Sequence, residues 1–384
     1  MVVRIKSALV LNSVGGVDVH LRIILGALDT QEIESVIIHG HDDTHTPFVD
    51  KNGKAVPEFR TTIQRSISPL KDLKALIKTI SILKREKPDV IHAHSAKGGI
   101  IARAASLWYP ATVLYTPHAF SYLSASSKLK RSLFLGLERI FKYFNSVLVA
   151  CSASERKRAI EEVGYKQEKA LCFNNSIHPI GPSDMLTAEL GLPEKYICTV
   201  GRPSYQKNIE MLVEVVRVIV ESQKQENNPS LAPIHLVVLG VGEYSPNKDR
   251  VESLIAQYNL EEHITMVPWI DRKQIFSIID KCELYVSAAR YEGLPYSVIE
   301  ALALGKACVV TNCDGNRDLV NDGYNGYVVE ENSVESMANR IFALLKDDRL
   351  RQRFGNNSAQ FFNSNFNITQ TIAQLEAIYK ANSK

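Results

Sequence analysis

The chain has 384 residues, 45% hydrophobic and 23% charged, with a formal net charge of +3. That balance describes a globular protein of two or three domains and excludes a disordered polymer or a densely basic nucleic-acid binder. Its six cysteines are scattered with no Cys-x-x-Cys pair, and no apolar stretch reaches the roughly 18 residues of a membrane span. This pattern argues against a zinc centre or a disulfide framework and fits a reducing cytosol. The apolar run at residues 8–11 is too short for a secretory core.

Strands and helices alternate from the start. An apolar strand over residues 4–11 runs into Gly15-Gly16, followed by a helix through 21–28 and a strand at 35–38. Residues 71–84 carry helical apolar spacing at Leu73, Leu76, Ile77, Ile80 and Leu83. Strands are predicted at 90–92, 112–115 and 146–149, with a helix at 96–107. This alternation indicates a parallel sheet covered on both faces, whose ligands bind at the carboxyl ends of its strands. Gly15, Gly16, His94 and His118 all follow strands and would gather at that edge.

Residues 126–145, SSKLKRSLFLGLERIFKYFN, combine Lys128, Lys130, Arg131, Arg139 and Lys142 with Leu129, Leu133, Phe134, Leu137, Ile140, Phe141 and Phe144. They read either as a basic amphipathic helix on an anionic membrane or as a domain helix with its apolar face in the core. A Gly-, Pro- and Ser-containing linker at 180–192 precedes a second cycle of strands at 196–200, 235–240, 263–267, 284–287 and 307–311. Residues 1–190 carry 25 Lys and Arg against 18 Asp and Glu, and the remainder 20 against 24, so the basic half suits an anionic surface or acceptor. Two doubly wound domains are expected to face each other across a cleft. Their extents are 1–185 with a terminal helix from 367–384 crossing back, and 186–366.

The densest chemistry lies at residues 290–305, RYEGLPYSVIEALALG. Glu292 belongs to a turn with Gly293, Leu294 and Pro295. A short helix then runs to Gly305, since Pro suits a first helical turn and Gly a C-terminal stop. Glu300 is the one polar residue among Val298, Ile299, Ala301, Leu302 and Ala303. A carboxylate so placed needs a partner, either an internal cation or a ligand. The helix N-terminus beside it is a ready phosphate site.

This segment resembles the E-x7-E signature of the retaining glycosyltransferases of family 4, which have the GT-B fold; EGLP replaces their usual EGFG. Residues 201–208, GRPSYQKN, are similar to the family's pyrophosphate segment, and LNSVGGV, DVIHAHS and TPHAF to three of its N-terminal strand ends. The matches fall in order over residues 8–330. The resemblance implies transfer of a hexosyl-type unit from a nucleoside diphosphate sugar, with a UDP-sugar favoured, to an acceptor hydroxyl with retained configuration. It makes Arg202 and Lys207 the diphosphate cations, Glu292 the acid on the sugar's hydroxyls and Glu300 the acid on the ribose diol. Backbone N–H groups from Leu294 to Tyr296 would meet the phosphates.

On the same resemblance Gly15 and Gly16 lie under the donor phosphate or near the acceptor, and His118 touches the donor sugar. His94 and Lys97 line the acceptor pocket, and the base packs near Trp269 and Ile270, where Pro-Trp departs from the family's Gly-containing loop. Trp269 stacks on the base or belongs to the core. No Asp-x-Asp follows a strand, so no metal and no cofactor beyond the donor is expected. The implied partners are a sugar nucleotide and a glycan or lipid-linked acceptor, as in bacterial polysaccharide assembly. The implied location is the cytoplasm, with peripheral contact at the inner face of the plasma membrane. A phosphorylase or nucleotide-sugar epimerase on the same scaffold, and a non-catalytic sugar-nucleotide-binding protein, remain open alternatives.

Overall fold

The computed structural model describes residues 4–384 apart from 14, 43–45, 65, 67, 187–189, 227–232 and 243–244. The chain divides into two compact units, Met1–His178 with Asn367–Lys384, and Pro179–Phe366.

Unit 1 is built on seven parallel strands: β1 (Ile5–Ser13), β2 (Ile33–Asp42), β3 (Glu58–Arg60), β4 (Val90–His94), β5 (Thr112–Thr116), β6 (Ser146–Ala150) and β7 (Ala170–Cys172). Their order is β3-β2-β1-β4-β5-β6-β7. β1 is the hub, with Leu9 opposite Ile37 on one side and His92 on the other. Every β1 residue except Lys6 is buried, the pattern of a strand covered on both faces. Helices Pro69–Glu86 and Ser95–Ala105 pack on each other, while Gly16–Leu25 and the terminal helix Ile368–Asn382 pack against β1. The terminal helix is tied in by Ile368 N–H donating to Ile177 O at 2.9 Å.

Unit 2 has six parallel strands, β8 (Ile197–Val200), β9 (Leu236–Val241), β10 (Ile264–Pro268), β11 (Tyr285–Ser287), β12 (Cys308–Thr311) and β13 (Gly326–Val329). Their order is β10-β9-β8-β11-β12-β13. Both sheets therefore reverse direction of winding beside their first strand, between β1 and β4 and between β8 and β11. Such switch points open a crevice at the strands' carboxyl ends. The α/β class and the two doubly wound sheets match the sequence expectation. The three-residue strand β3, β7 and the late β13 were not evident, because three or four residues carry too little alternation to register.

Among the described residues no helix is long and apolar enough to cross a membrane. Helix Lys128–Phe141 departs from both sequence readings taken singly. Phe134 and Leu135 pack on the core of unit 1, while Leu129, Leu133 and Ile140 stand exposed. Its one fully buried side chain is Glu138, whose carboxylate accepts from Arg103 at 3.0 Å and from Tyr115 Oη at 2.9 Å. Arg103 is completely buried and stacks over Tyr115, so this ion pair is a structural post inside the apolar layer.

Candidate functional site

In unit 2 the chain after β8 and the chain after β11 meet at the switch point. Arg290 N–H donates to Gln206 O at 2.8 Å, and the Arg290 guanidinium donates to Tyr205 O at 2.7 Å while stacking on the Tyr205 ring. The two loops thus bring Lys207 against Glu292, with Nζ 2.8 Å from Oε1. Gln206 Nε2 donates to Oε2 at 3.1 Å. Glu292 is only 8% exposed. The ammonium lies close enough for an ion pair with Oε1 but off the line of a hydrogen bond, so that oxygen keeps acceptor capacity. Gly201 makes this possible: a Cβ there would meet the Lys207 stem at 2.8–3.0 Å. Arg202 is exposed in the same turn.

Pro295 caps helix Tyr296–Ala303 in extended conformation, so the helix starts one residue after the expected proline. Glu292, Gly293 and Leu294 form the buried loop leading into it. Glu300 is 5% exposed, and of the two partners expected for its buried charge, an internal cation or a ligand, the protein itself supplies the cation. Arg272 donates through Nε at 3.0 Å and Nη2 at 2.6 Å. Both donors converge on Oε1, leaving Oε2 outside the fork. Burial pushes the Glu300 carboxyl up, while Arg272 and Lys207 pull it back. Arg272 carried no sequence signal, since it heads a different helix, Arg272–Lys281, and only the fold brings it to Glu300. Trp269 is 77% exposed, which excludes the core role for it, and Ile270 beside it is half-buried.

In unit 1 the strand ends carry imidazoles. His92 and His94, two residues apart on β4, share one face of the strand, and their rings lie 4.1 Å apart. His20, from helix Gly16–Leu25, and His118, just after β5, close the cluster with centroids 4.7 Å apart. His94 Nδ1 and His118 Nε2 share a hydrogen bond at 3.1 Å. Thr116 Oγ1 donates to Val149 O, so it must accept from His92 Nε2–H at 2.9 Å; His92 Nδ1 then accepts from Tyr379 Oη at 2.8 Å. Burial holds His20 down to about 4 and His92 to about 3, and His94 and His118 well below the usual value, so the cluster is neutral at pH 7. His20, His94 and His118 present ring nitrogens within 4.8 Å of one another, close enough to hold an ion, although two of them already bond each other.

Gly15 adopts φ 60 and is exposed, as is Gly16 at the helix start; a side chain at Gly15 would meet nothing within 4 Å. Val14, which precedes them, lies outside the described residues. Lys97 departs from the others: its ammonium is held by Asp72 of the neighbouring helix at 2.7 Å. Sequence reasoning missed His20 and His92; the i, i+2 spacing of His92 and His94 was the available signal.

The family description "Glycosyl transferases group 1" matches residues 187–361, and "Glycosyltransferase Family 4" matches residues 14–179. The chain is 27% identical, over 87% of its length and 85% of the relative's, to the UDP-Gal:alpha-D-GlcNAc-diphosphoundecaprenol alpha-1,3-galactosyltransferase of Escherichia coli. Among solved structures it is similar to sucrose-phosphate synthase from Thermosynechococcus elongatus (19% identity, TM-score 0.81, 98% of this chain and 99% of that one). It is also similar to HepE of Anabaena in complex with UDP and glucose (17% identity, TM-score 0.80, 98% and 100%). These likenesses share the two Rossmann-like domains of the GT-B fold.

Proposed function

The chain belongs to the family 4 glycosyltransferases of GT-B fold, and on that premise we propose that it is a retaining, metal-independent transferase acting on a UDP-sugar. Its acceptor would be a hydroxyl of a lipid-linked glycan precursor in polysaccharide assembly. The observation that carries this reading is the pairing of two buried acids with two cations around one helix start, Lys207–Glu292 and Arg272–Glu300. A diphosphate at that helix end would draw Lys207 toward itself and release Glu292 Oε1 for a sugar hydroxyl. Glu300 Oε2 is the oxygen available to a ribose diol. Arg202 and the backbone of Leu294, Pro295 and Tyr296 would complete the anion site, and Trp269 with Ile270 the face for the base. In unit 1, His118 offers a neutral imidazole to a hydroxyl group, with Gly15 and Gly16 keeping backbone accessible, while the fully buried His94 would act through its bond to His118.

In the reaction, the bond from the sugar's anomeric carbon to the diphosphate breaks and its electron pair leaves with the phosphate. The acceptor oxygen bonds to the same face of that carbon, and its proton passes to the departing phosphate oxygen. Lys207 and Arg202 would stabilise the charge that grows on the leaving group, which accelerates the step only to the extent that it binds that charge more strongly in the transition state. Lys207, Arg202 and the helix terminus would supply positive charge where a divalent ion otherwise would, which supports the metal-independent reading.

The relative's name supports a lipid-linked acceptor, as do the exposed apolar side chains Leu129, Leu133 and Ile140 interleaved with Lys130 and Arg131, which suit a peripheral contact with anionic lipid at the cytoplasmic face. The test incubates the protein with UDP-galactose, UDP-glucose, UDP-N-acetylglucosamine and GDP-mannose plus a polyprenyl-diphosphate-linked N-acetylglucosamine, with and without EDTA. Transfer from a UDP-sugar with the α configuration kept by NMR, unaffected by chelation, is expected. An inverted product, phosphate-dependent release of sugar phosphate, or loss in EDTA restored by magnesium would overturn the corresponding part of the reading.

A further inference from the structure

His118 and Ala119 are consecutive non-glycine residues with positive φ, 53° and 73°. L-residues avoid that region, so a pair of them persists only where surrounding bonds over-determine the backbone. The bonds come from Glu155. Its carboxylate is buried, and Oε1 accepts from the Ala119 N–H at 2.7 Å while Oε2 accepts from the Cys151 N–H at 2.8 Å. One side chain therefore staples the loop after β5 to the loop after β6. Glu155 is itself held, because Ser152 caps its short helix by accepting from the Glu155 N–H at 3.1 Å. Ser152 and Glu155 have the Ser-x-x-Glu spacing of a capping box, a local signature that conceals the longer reach to Ala119.

The consequence falls on the imidazole. Left-handed backbone at His118 and Ala119 fixes where the His118 ring leaves the chain, and the ring is found on His94 Nδ1 at 3.1 Å. We propose that Glu155 is a positioning residue for His118: by accepting two backbone N–H groups it holds the strained turn that presents the His118 imidazole in its His94-bonded orientation. This rests on the proposed role of His118 in the transfer. A carboxylate is required, since both oxygens must accept. Glutamine supplies one acceptor and turns its NH2 on the other N–H. Ala119, by contrast, supplies only the strain, and glycine at that position would adopt the same backbone freely.

The experiment compares wild type with Glu155→Gln, Ala119→Gly, the double variant and His118→Ala in the full chain. It reads kcat, donor KM and the 15N signals of the His118 ring, assigned by their loss in His118→Ala. Glu155→Gln is expected to lower kcat about tenfold with little change in donor KM, and to move the His118 nitrogens toward the values of a freely exchanging imidazole. Ala119→Gly in that background is expected to recover part of both, because one of the two left-handed residues is then free of strain. Unchanged His118 signals in Glu155→Gln, or a loss that Ala119→Gly does not relieve, would overturn the proposal. Where Glu155→Gln is too unstable to assay, Ala119→Gly alone must leave the His118 signals of wild type in place; shifted signals there would equally overturn it. If the ring signals respond as expected while His118→Ala retains full turnover, the staple stands and the catalytic reading of His118 falls.

Discussion

In unit 1 four imidazoles meet in a buried cluster that carries no charge, whereas in unit 2 two buried carboxylates each sit against a cation. Desolvation acts on both and is answered differently. Histidine escapes the penalty by losing its proton, so its neighbours need only be hydrogen-bonding groups such as Thr116 and Tyr379. Glu300 keeps its place beside Arg272, whose charge offsets part of the burial penalty, and Glu292 lies against Lys207. The first arrangement suits neutral hydroxyls, and the second suits an anion that can exchange places with a carboxylate.

The sharpest way to break this contrast is Lys207→Ala. It removes the cation from Glu292 and from the proposed leaving group together. Turnover is expected to drop by about 10²–10³, the usual size for loss of one charge-stabilising group. Steady-state kinetics showing full turnover would place the chemistry elsewhere.

The histidine cluster gives the next largest effect, in stability. His20 titrates near 4 when folded and near 6.5 when unfolded. Between those values the unfolded chain binds more protons, so stability is lost as pH falls from about 6.5 toward 4, by about 1.4 kcal/mol per unit for each such histidine. Glu300, raised by burial, acts in the opposite sense over the carboxylate range, since the folded form takes up its proton first. Urea midpoints are therefore expected to fall between pH 7 and pH 5, and a midpoint that stays level would mean that the cluster is not buried neutral.

Glu300→Gln keeps the shape of the acid and removes its charge. Calorimetry with UDP is expected to show affinity lowered about tenfold, close to 1.4 kcal/mol. Unaltered affinity would assign Glu300 wholly to its ion pair with Arg272. The smallest effect is expected from Tyr379→Phe, which takes the donor from His92 Nδ1 and costs about 1 kcal/mol of unfolding free energy in a denaturant titration.

Much of this contrast could be read from the chain in order. The apolar runs inside β1 and β12, at residues 8–11 and 308–310, are continuous because their strands are buried on both faces, and the acids of the segment at 290–305 stand out against an apolar helix. What the sequence concealed were partners chosen by the fold. Arg272 reaches Glu300 from 28 residues away and Tyr379 reaches His92 across 287. Glu138 lies inside a basic amphipathic stretch, and its partner Arg103 is 35 residues away. Pairings of this kind have no periodicity, so only the assembled layers reveal them.

Unit 1 is interrupted: the chain leaves it at His178 and returns only at Asn367, bringing Tyr379 to His92. On a ribosome unit 2 is finished before residues 367–384 can join unit 1. Nascent unit 1 consequently emerges with one flank of β1 bare and His92 lacking its phenol. A message broken between the codons for Asn367 and Tyr379 would yield a protein whose unit 2 is whole and whose unit 1 lacks the phenol on His92.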